Sequence, residues 1–504
     1  MFLNLSYFHY LSYRKSVCRG MFKMILILCL IPPSCHKNDK DSEGPQKPEI
    51  FMTVITGKGV EGYPSAGVYR YDTGMIVNYG YRAIEGYINL NTTLDGRKIP
   101  DEGSFKIRKD VTLKSEAEQK VLWRFNTPMP VYFSVPAVDP DKTIYFTTGL
   151  SSNQNSTLYA LNPNGTMKWS WTHSTVLFSP VIGNDGNIYV QDFYNKLYSL
   201  NNSGNLRWSY DQFRYSYFEN VGQRCPAIGS DGTIYVAGCG LHAIDPVNGT
   251  QKWVAYDVLS AKASPSIGPD GTIYAVFSQD LVVAVNPDGS EKWHNSFTYE
   301  WEMSFASPAI DNAGTIYFAA EARYEGIDYS NIYAFNTADG SIKWKYPVEG
   351  ERPVRASPVI DQNGNIIVAT KANGMDKLAG VIAISPSGQK IWSYTIENVH
   401  VTDDDIYSTP AIDNNGLIYF SAETGFLYVL NPDGSLNYKY ELPVSVNWSS
   451  PAMVSEGILY IGGMFGSNYE GSMVAVKIPG TGYAATPWPR FRHDNNNSGR
   501  YGAK

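Results

Sequence analysis

Residues 264–293 read SPSIGPDGTIYAVFSQDLVVAVNPDGSEKW, and this stretch decides the fold. Its landmarks are, in order, Pro265, the Asp270-Gly271 turn, Tyr274, the turn over 286–289 and Trp293. Asp-Gly and related turns between runs of apolar and β-branched residues are typical of hairpins. The stretch therefore predicts four short strands joined by tight turns.

The same pattern recurs along most of the chain. A proline, usually preceded by a small residue, begins each of eight units: Pro136, Pro180, Pro226, Pro265, Pro308, Pro358, Pro410 and Pro451. Nine residues later lies a fixed site that is tyrosine in seven units: Tyr145, Tyr189, Tyr235, Tyr274, Tyr317, Ile367, Tyr419 and Tyr460. Four predicted strands in units of about 45 residues are typical of β-propeller blades.

The aromatic residues that end the units predict how the ring closes. The predicted fourth strand ends near an aromatic residue in seven units: Trp169, Trp208, Trp253, Trp293, Trp344, Trp392 and Tyr438. The last unit, 450–478, has only three predicted strands, whereas 121–125 precedes the first unit and resembles a fourth strand. We expect 121–125 to pair with the last unit, because closure removes an exposed sheet edge. The predicted fold class is all-β: an eight-bladed propeller of four-stranded blades over 121–478, closed by an N-terminal strand.

These units resemble the propeller repeats of the pyrroloquinoline-quinone (PQQ) type. The tryptophan-docking motif of that family runs Ala-x-Asp, then Gly, then Trp. This chain matches it at Ala243, Asp245, Gly249 and Trp253. The resemblance covers about 121–478, and the C-terminal tail over 479–504 is similar to a segment that accompanies such propellers.

The family has two functional branches, and the resemblance implies the second. One branch contains quinoprotein dehydrogenases, which bind PQQ and Ca²⁺. The other is non-enzymatic and includes BamB, the lipoprotein scaffold of the outer-membrane assembly machine. The sequence lacks the adjacent Cys pair of many of the enzymes, and their calcium-binding Glu, Asn and Asp set finds no matching positions. A scaffold that needs no cofactor is therefore implied, although a shared fold alone does not transfer function.

The N-terminus predicts export. Residues 1–34 carry four basic and no acidic side chains, and their apolar run over 24–31 is shorter than the roughly 20 residues that cross a bilayer. The run leads to Cys35, in a setting that resembles a bacterial lipobox. We expect a signal peptide over 1–34, lipid on Cys35 and a flexible tether over 35–48. The expected location is an outer-membrane lipoprotein, facing the periplasm or the cell surface. A buried N-terminal strand is the alternative.

Residues 49–115 do not fit the repeat. Alternating apolar residues with Gly-rich turns predict a small all-β module there. It resembles Gly- and Tyr-containing surface modules related to InlB B-repeats, or immunoglobulin-like modules. We favour a spacer role for it over a binding role.

Composition narrows the classes of partner. The chain has 504 residues, a net charge of −7 and 18% charged residues, and removing the four basic residues of 1–34 makes the charge −11. Such an acidic chain argues against a nucleic-acid partner, because phosphate binding requires an excess of Lys and Arg. The 14% of aromatic residues excludes wholesale disorder.

Strand order predicts two different faces of the ring. The first-to-second and third-to-fourth turns are short and share one face, whereas the second-to-third and fourth-to-first loops are long and share the other. Functional residues concentrate on irregular loops, and aromatic and Arg side chains are enriched at protein interfaces. The candidate binding residues on this second face are Phe213, Arg214, Tyr215, Tyr217, Tyr299, Trp301, Arg355, Asp404 and Trp448. The alternative is that many of these rings only plug the mouth of the central channel.

No motif in the sequence predicts catalysis or a metal site. Asp403-Asp404-Asp405 lacks the ligand spacing of a calcium loop, and the histidines are scattered. Cys225 and Cys239 flank one predicted hairpin and could form a disulfide in an exported protein, with two buried thiols as the alternative.

Three functions fit these observations. The first is a non-enzymatic scaffold or adaptor that binds an envelope or surface protein. The second is a glycan-binding surface lipoprotein, because aromatics with carboxylates and amides also suit a polysaccharide. The third is a PQQ-dependent, dehydrogenase-like enzyme that uses PQQ and Ca²⁺.

Overall fold

Strands make up all the regular structure that is described. The structure, a computed structural model, describes residues 49–84, 86–150, 154–211, 224–261, 263–277, 281–296, 302–303, 306–324, 327–348, 353–372, 378–396, 405–446, 448–466 and 469–502. Within these ranges there is no helix long and apolar enough to cross a membrane.

Residues 50–119 form two sheets. Their strands are β1 Ile50–Thr56, β2 Val60–Tyr63, β3 Gly67–Tyr71, β4 Ile76–Ala83, β5 Tyr87–Leu94, β6 Arg97–Ile99, β7 Glu102–Lys106 and β8 Val111–Gln119. One sheet has the order β3-β1-β8-β5-β6 and the other the order β2-β4-β7. Met52, Val54, Tyr79 and Leu113 belong to the buried cluster of these strands, which is separate from the clusters of the repeat units.

The repeat units form sheets whose strands follow one another in chain order. The strands of the first half are β9 Val121–Thr127, β10 Ala137–Val138, β11 Ile144–Thr147, β12 Ser156–Leu161, β13 Met167–His173, β14 Val181–Ile182, β15 Ile188–Gln191, β16 Leu197–Leu200, β17 Leu206–Tyr210, β18 Ala227–Ile228, β19 Ile234–Ile244, β20 Gln251–Ser260, β21 Ser266–Ile267, β22 Ile273–Phe277, β23 Leu281–Val285 and β24 Glu291–Ser296. They give the sheets β10-β11-β12-β13, β14-β15-β16-β17, β18-β19-β20 and β21-β22-β23-β24. In the third of these, β19 alone occupies the second and third strand positions.

The second half continues in the same way. Its strands are β25 Glu302–Met303, β26 Ala309–Ile310, β27 Thr315–Tyr324, β28 Ile327–Asn336, β29 Ile342–Pro347, β30 Val359–Ile360, β31 Ile366–Thr370, β32 Gly380–Ile384, β33 Lys390–Thr395, β34 Ala411–Ile412, β35 Ile418–Ser421, β36 Phe426–Leu430, β37 Leu436–Glu441, β38 Ala452–Val454, β39 Ile458–Phe465 and β40 Glu470–Lys477. The sheets are β26 to β29, with β25 added beside β27, then β30 to β33, β34 to β37, and β38-β39-β40-β9. The predicted all-β architecture of four-stranded sheets is confirmed.

The last sheet takes its fourth strand from the start of the repeat region. β9 lies antiparallel to β40, with Ala475 opposite Trp123 and Met473 opposite Phe125. Nε1 of Trp123 then donates to the carbonyl oxygen of Pro163 in the first sheet, at 2.8 Å. One strand therefore connects the last sheet to the first.

Tryptophans dock neighbouring sheets onto one another. Nε1 of Trp253 donates to the carbonyl oxygen of Pro287 in the next sheet, at 2.8 Å. The same contact joins Trp169 to Asn202, Trp208 to Pro246, Trp293 to Thr337, Trp344 to Pro386 and Trp392 to Pro432. Gly289 lies flat on Trp253, where a Cβ would be 2.7 Å from the ring Cγ and φ is +91°. Only glycine fits there, which explains the glycine of the docking motif.

Hydroxyl groups before the prolines join the innermost strands. The N–H of Ser307 donates to Oγ of Ser357 at 2.8 Å, and the N–H of Ser357 donates to Oγ1 of Thr409 at 3.0 Å. The same contact runs from Thr409 to Ser450, Val135 to Ser179, Cys225 to Ser264 and Ser264 to Ser307. Each bond crosses to the next sheet, so these small residues hold the sheets side by side in chain order.

The C-terminal tail is built into the propeller. Tail carbonyl oxygens accept N–H groups from the ends of six first strands: Val138 to Asn495, Ile182 to Asn496, Ile228 to Ser498, Ile267 to Gly499, Ile360 to Trp488 and Ile412 to Pro489. These strands end at the short-turn face, whereas their prolines lie toward the long loops. The tail therefore covers the inner strands at the short-turn face.

Buried polar side chains of the tail reach the blade-start prolines. Nη2 of Arg492 donates to the carbonyl oxygen of Pro226 at 3.0 Å, and Nη1 donates to that of Pro265. Nδ2 of Asn497 donates to the carbonyl oxygen of Pro180 at 2.9 Å. The tail thus satisfies buried backbone acceptors that the short first strands leave unpaired.

Candidate functional site

The residue three positions before each blade-start proline lies at the end of a long fourth-to-first loop, just before the first strand of the blade. The described residues at this position are Phe133, Leu177, Arg355, Tyr407 and Trp448. Together with Phe178, Arg224 and Lys371, four of these residues form a line of contacts at the long-loop face. We call the set Arg224, Phe178, Phe133, Trp448, Tyr407, Lys371 and Arg355 the loop-face arc.

The centre of the arc is aromatic. The rings of Tyr407 and Trp448 are stacked, with centroids 4.7 Å apart and planes 26° apart. Trp448 lies 6.2 Å from Phe133, which in turn lies 6.0 Å from Phe178. These distances lie within the range of favourable aromatic pairs. Tyr407 and Phe133 remain partly exposed, whereas Trp448 is only 6% exposed. The arc therefore presents two aromatic side chains that are held by buried neighbours.

One end of the arc carries two paired cations. Nε and Nη2 of Arg355 donate to the two carboxylate oxygens of Glu321, at 2.8 and 3.1 Å. Nζ of Lys371 lies 3.1 Å from Oδ2 of Asp405. The Arg355 guanidinium lies 5.9 Å and the Lys371 ammonium 5.2 Å from the ring centroid of Tyr407, within the range of cation–π attraction.

Tyr407 is held as a neutral hydrogen-bond donor. Its hydroxyl donates to Oδ2 of Asp405 at 3.0 Å, while Oδ1 of the same carboxylate accepts the N–H of Ala372 at 3.1 Å. Burial, followed by the charge of Asp405, raises the pKa of Tyr407 well above its ordinary value. The Tyr407 hydroxyl therefore keeps its proton at neutral pH, and its hydrogen bond fixes the orientation of the ring.

Arg224 lies at the other end of the arc. Its guanidinium is 5.7 Å from the ring centroid of Phe178, and its Nη1 donates to Oδ1 of Asn195. The side chain is 1% exposed. Burial lowers the pKa of Arg224 to about 10, so it is still a cation at neutral pH.

The structure brings together two of the predicted site residues. Arg355 and Trp448 both contact Tyr407 in the arc. The other candidates lie outside the described residues: Phe213, Arg214, Tyr215, Tyr217, Tyr299, Trp301, Asp404 and the lipid attachment site Cys35. Of the Asp403-Asp404-Asp405 run, only Asp405 is described, and it is paired with Lys371. Within the described part of the chain, no group of three or more His, Cys, Asp and Glu side chains could hold a metal ion.

The two cysteines that could form a disulfide, Cys225 and Cys239, are not bridged in this structure. Both thiols are buried, and they face different neighbours. Sγ of Cys225 lies 3.8 Å from the carbonyl oxygens of Pro180 and Asn497, beside the tail. Sγ of Cys239 instead accepts the Nδ2 amide of Asn195 at 3.6 Å. Burial raises the pKa of Cys225 to about 11, which leaves it an unreactive thiol.

Sequence reasoning missed most of the arc. Tyr407, Phe133, Phe178, Arg224 and Lys371 were not among the candidates. The signal that could have found the first two is register: each stands three residues before a blade-start proline, as do Arg355 and Trp448. Counting back from the prolines selects this ring of positions, whereas aromatic content alone selects the longest loops.

Comparison with known proteins identifies the family. Residues 108–262 and 240–452 match the family described as outer membrane protein assembly factor BamB, and the two matches together span more than half of the chain. The chain belongs to the BamB family. The resemblance to PQQ-type propellers is thereby confirmed. The solved structure of BamB from Moraxella catarrhalis has a TM-score of 0.52 at 13% identity, covering 70% of this chain and 98% of that one.

Other propellers are similar to a comparable degree. The computationally designed Ika8 protein has a TM-score of 0.51 at 10% identity, covering 71% of this chain and 100% of that one. The Dos1 propeller has a TM-score of 0.51 at 12% identity, covering 72% and 97%. At such identities the likeness concerns the fold alone. These likenesses therefore do not distinguish between possible functions of this BamB-family chain.

One curated relative is an enzyme. The tetrathionate hydrolase of Acidithiobacillus ferrooxidans is 28% identical over 151 residues, which are 29% of this chain and 28% of the hydrolase. The chain therefore matches well under two thirds of that relative's length. Part of this BamB-family chain is therefore similar in sequence to part of an enzyme, and the similarity does not extend to the rest of the hydrolase.

Proposed function

We propose that this chain is a non-enzymatic scaffold that binds an envelope or surface protein through the loop-face arc. The observation that carries the proposal is the stacked pair of Tyr407 and Trp448, continued by Phe133 and bordered by Arg355. Tyr, Trp and Arg are the residues most enriched in interface hot spots. Membership of a family named for outer-membrane protein assembly supports a protein partner.

The bonding of the polar groups favours a protein over a glycan. Recognition of sugar hydroxyls needs polar groups that are not already committed. In the arc, the Glu321 carboxylate is bound side-on by Arg355, and the Asp405 carboxylate is shared by Lys371, Tyr407 and a backbone N–H. What the arc offers a ligand is mainly aromatic surface, which suits apolar side chains of a protein.

The proposal includes an architecture and a location. A signal peptide over 1–34, a lipid on Cys35 and a tether over 35–48 would hold the chain at the outer membrane. The module over 49–115 would act as a spacer. An eight-bladed ring over 121–478, closed by 121–125 and covered by the tail over 479–504, would present the arc. The pairing of β9 with β40 supports closure, and the eight recurring blade-start prolines support the blade count.

No cofactor is part of the proposal, and catalysis is an outcome that would contradict it. The hydrolase match supplies a direct assay. Purified chain that consumed tetrathionate would overturn the non-enzymatic assignment. So would a chain that, supplied with PQQ and Ca²⁺, oxidised an alcohol or a sugar and passed the electrons to an added acceptor.

The arc is tested by affinity recovery from detergent-solubilised membranes. We expect the double variant Phe133→Ala/Tyr407→Ala to lose its partner, because two partly exposed aromatics leave the interface. Hot-spot truncations cost about 2 kcal/mol each, or roughly 30-fold in Kd per residue. The matched control is Leu206→Ala/Leu436→Ala, which removes two exposed side chains from the outer strands β17 and β37. Equal recovery by both variants would contradict the site.

A further inference from the structure

The guanidinium of Arg224 has one bonded edge and one unpaired edge. Its Nη1 donates to Oδ1 of Asn195, which fixes the orientation of the planar group. Its Nε and Nη2 are buried and have no hydrogen-bond partner in the described structure. Buried polar groups of native proteins are nearly always bonded, so an unpaired edge on a buried cation needs an explanation.

In Arg355 of the same molecule, the corresponding edge of the guanidinium binds a carboxylate. There the Nε and Nη2 atoms donate side-on to the two oxygens of the Glu321 carboxylate, at 2.8 and 3.1 Å. This bidentate geometry is the strong mode of pairing between arginine and a carboxylate. Arg224 presents the same pair of atoms with no carboxylate against them.

The charges of Cys239 and then of Asp192 act on Arg224. The Asp192 carboxylate is already committed. Its Oδ1 accepts the N–H of Lys196 at 2.8 Å, and its Oδ2 accepts the hydroxyl of Tyr198 at 3.1 Å. The thiol of Cys239 contacts Asn195 rather than completing the Arg224 fork. Neither group therefore pairs with the Nε and Nη2 edge in the described structure.

We propose that the Nε and Nη2 edge of Arg224 is a binding site for a single carboxylate group. The planar fork matches two oxygens of one planar anion, and one guanidinium neutralises one negative charge. The Phe178 ring at 5.7 Å is an apolar neighbour, which disfavours a larger, multiply charged anion. The carboxylate comes from a small organic acid or from an acidic side chain of a bound polypeptide, and the chemistry at Arg224 is the same for both.

Thermal unfolding of the full chain separates these sources. The first arm uses sodium acetate against sodium chloride at equal ionic strength. The second uses the peptide Gly-Gly-Ser-Glu-Ser-Gly-Gly against its counterpart with Gln in place of Glu. Binding to the folded state alone shifts the unfolding equilibrium about tenfold at a ligand concentration of about ten times Kd. We expect a saturable rise in Tm with acetate, with the Glu peptide, or with both, and none with chloride or the Gln peptide.

Variants assign the effect to Arg224. Arg224→Gln is expected to lose the carboxylate-dependent rise, and Arg224→Lys to lose it as well, because a lysine keeps the charge but not the fork. The matched control, Arg97→Gln, removes an exposed arginine of the N-terminal sheets and should keep the full response. If the Arg224 variants do not fold, broadening of the ¹³C-acetate resonance by the wild-type chain replaces them. No Tm rise and no broadening in the wild type would overturn the site, as would a response that Arg224→Gln retains.

The scaffold proposal can fail without affecting this site, because the acetate arm uses no protein partner. Conversely, failure of the Arg224 site would be seen in the Tm arms, which do not depend on Phe133 or Tyr407.

Discussion

Removing the C-terminal tail should destabilise the propeller more than any single substitution in a loop. A chain that ends at Pro487 loses Trp488 and Phe491, both 1% exposed, together with the backbone bonds to six first strands. It also leaves the carbonyl oxygens of Pro226 and Pro265 without the Arg492 side chain. Each lost hydrogen bond costs about 1 kcal/mol, and the buried tryptophan about 3–5 kcal/mol. The sum is comparable to the ~5–15 kcal/mol by which domains are usually stable.

The single substitution Trp488→Ala gives a measurable version of this prediction. We expect the free energy of unfolding in urea to fall by about 3–5 kcal/mol. The matched control is Trp171→Ala on the outer strand β13, where the ring is only partly buried and the expected loss is smaller. A truncated chain with the wild-type midpoint would show that the tail is dispensable.

Two N-terminal truncations should differ sharply. A chain that begins at Lys120 keeps β9, whereas a chain that begins at Pro128 lacks it and leaves β40 as an open edge. The second chain loses the ladder between β9 and β40 and the bond from Trp123 to Pro163. We expect it to be less stable by at least ~5 kcal/mol, from several hydrogen bonds at about 1 kcal/mol each and one large aromatic side chain.

The open edge should also change the state of association. Unpaired edge strands pair with other chains, so the chain that lacks β9 should oligomerise or aggregate. Light scattering after gel filtration and thermal unfolding measure both effects. The chain that begins at Lys120 serves as the control and should remain monomeric with a Tm close to that of the longer chain. Equal behaviour of the two chains would show that β9 does not close the ring.

The blade pattern could be predicted because its determinants are local. Pro265 and the Asp270-Gly271 turn act within one unit, and Trp293 docks onto the next unit along the chain, so their spacing predicts strands, turns and docking contacts. The pairing of 121–125 with the last unit was also accessible. The last unit lacks a fourth strand, and 121–125 is a strand that belongs to no unit, so the two were expected to pair. In the structure, β9 does pair with β40.

The arc and the tail could be predicted only in part, since both depend on distant contacts. Tyr407 becomes a site residue because Trp448 and Lys371, from different sheets, converge on its ring. Nothing in the sequence around Tyr407 shows this convergence. Arg492 of the tail likewise finds its acceptor, Pro226, far away along the chain. Aromatic content pointed to the long loops. The position three residues before each blade-start proline points instead to four residues of the arc.

Photo-crosslinking in cells tests the central claim most directly. A photoreactive phenylalanine analogue replaces Phe133 in the arc or, as control, Leu436 on the outer strand β37, where the side chain is 42% exposed. We predict that the probe at 133 captures a defined envelope protein and that the probe at 436 does not. Capture of the same protein from 436 but not from 133, or capture from neither position while the chain turns over a small substrate, would contradict the account.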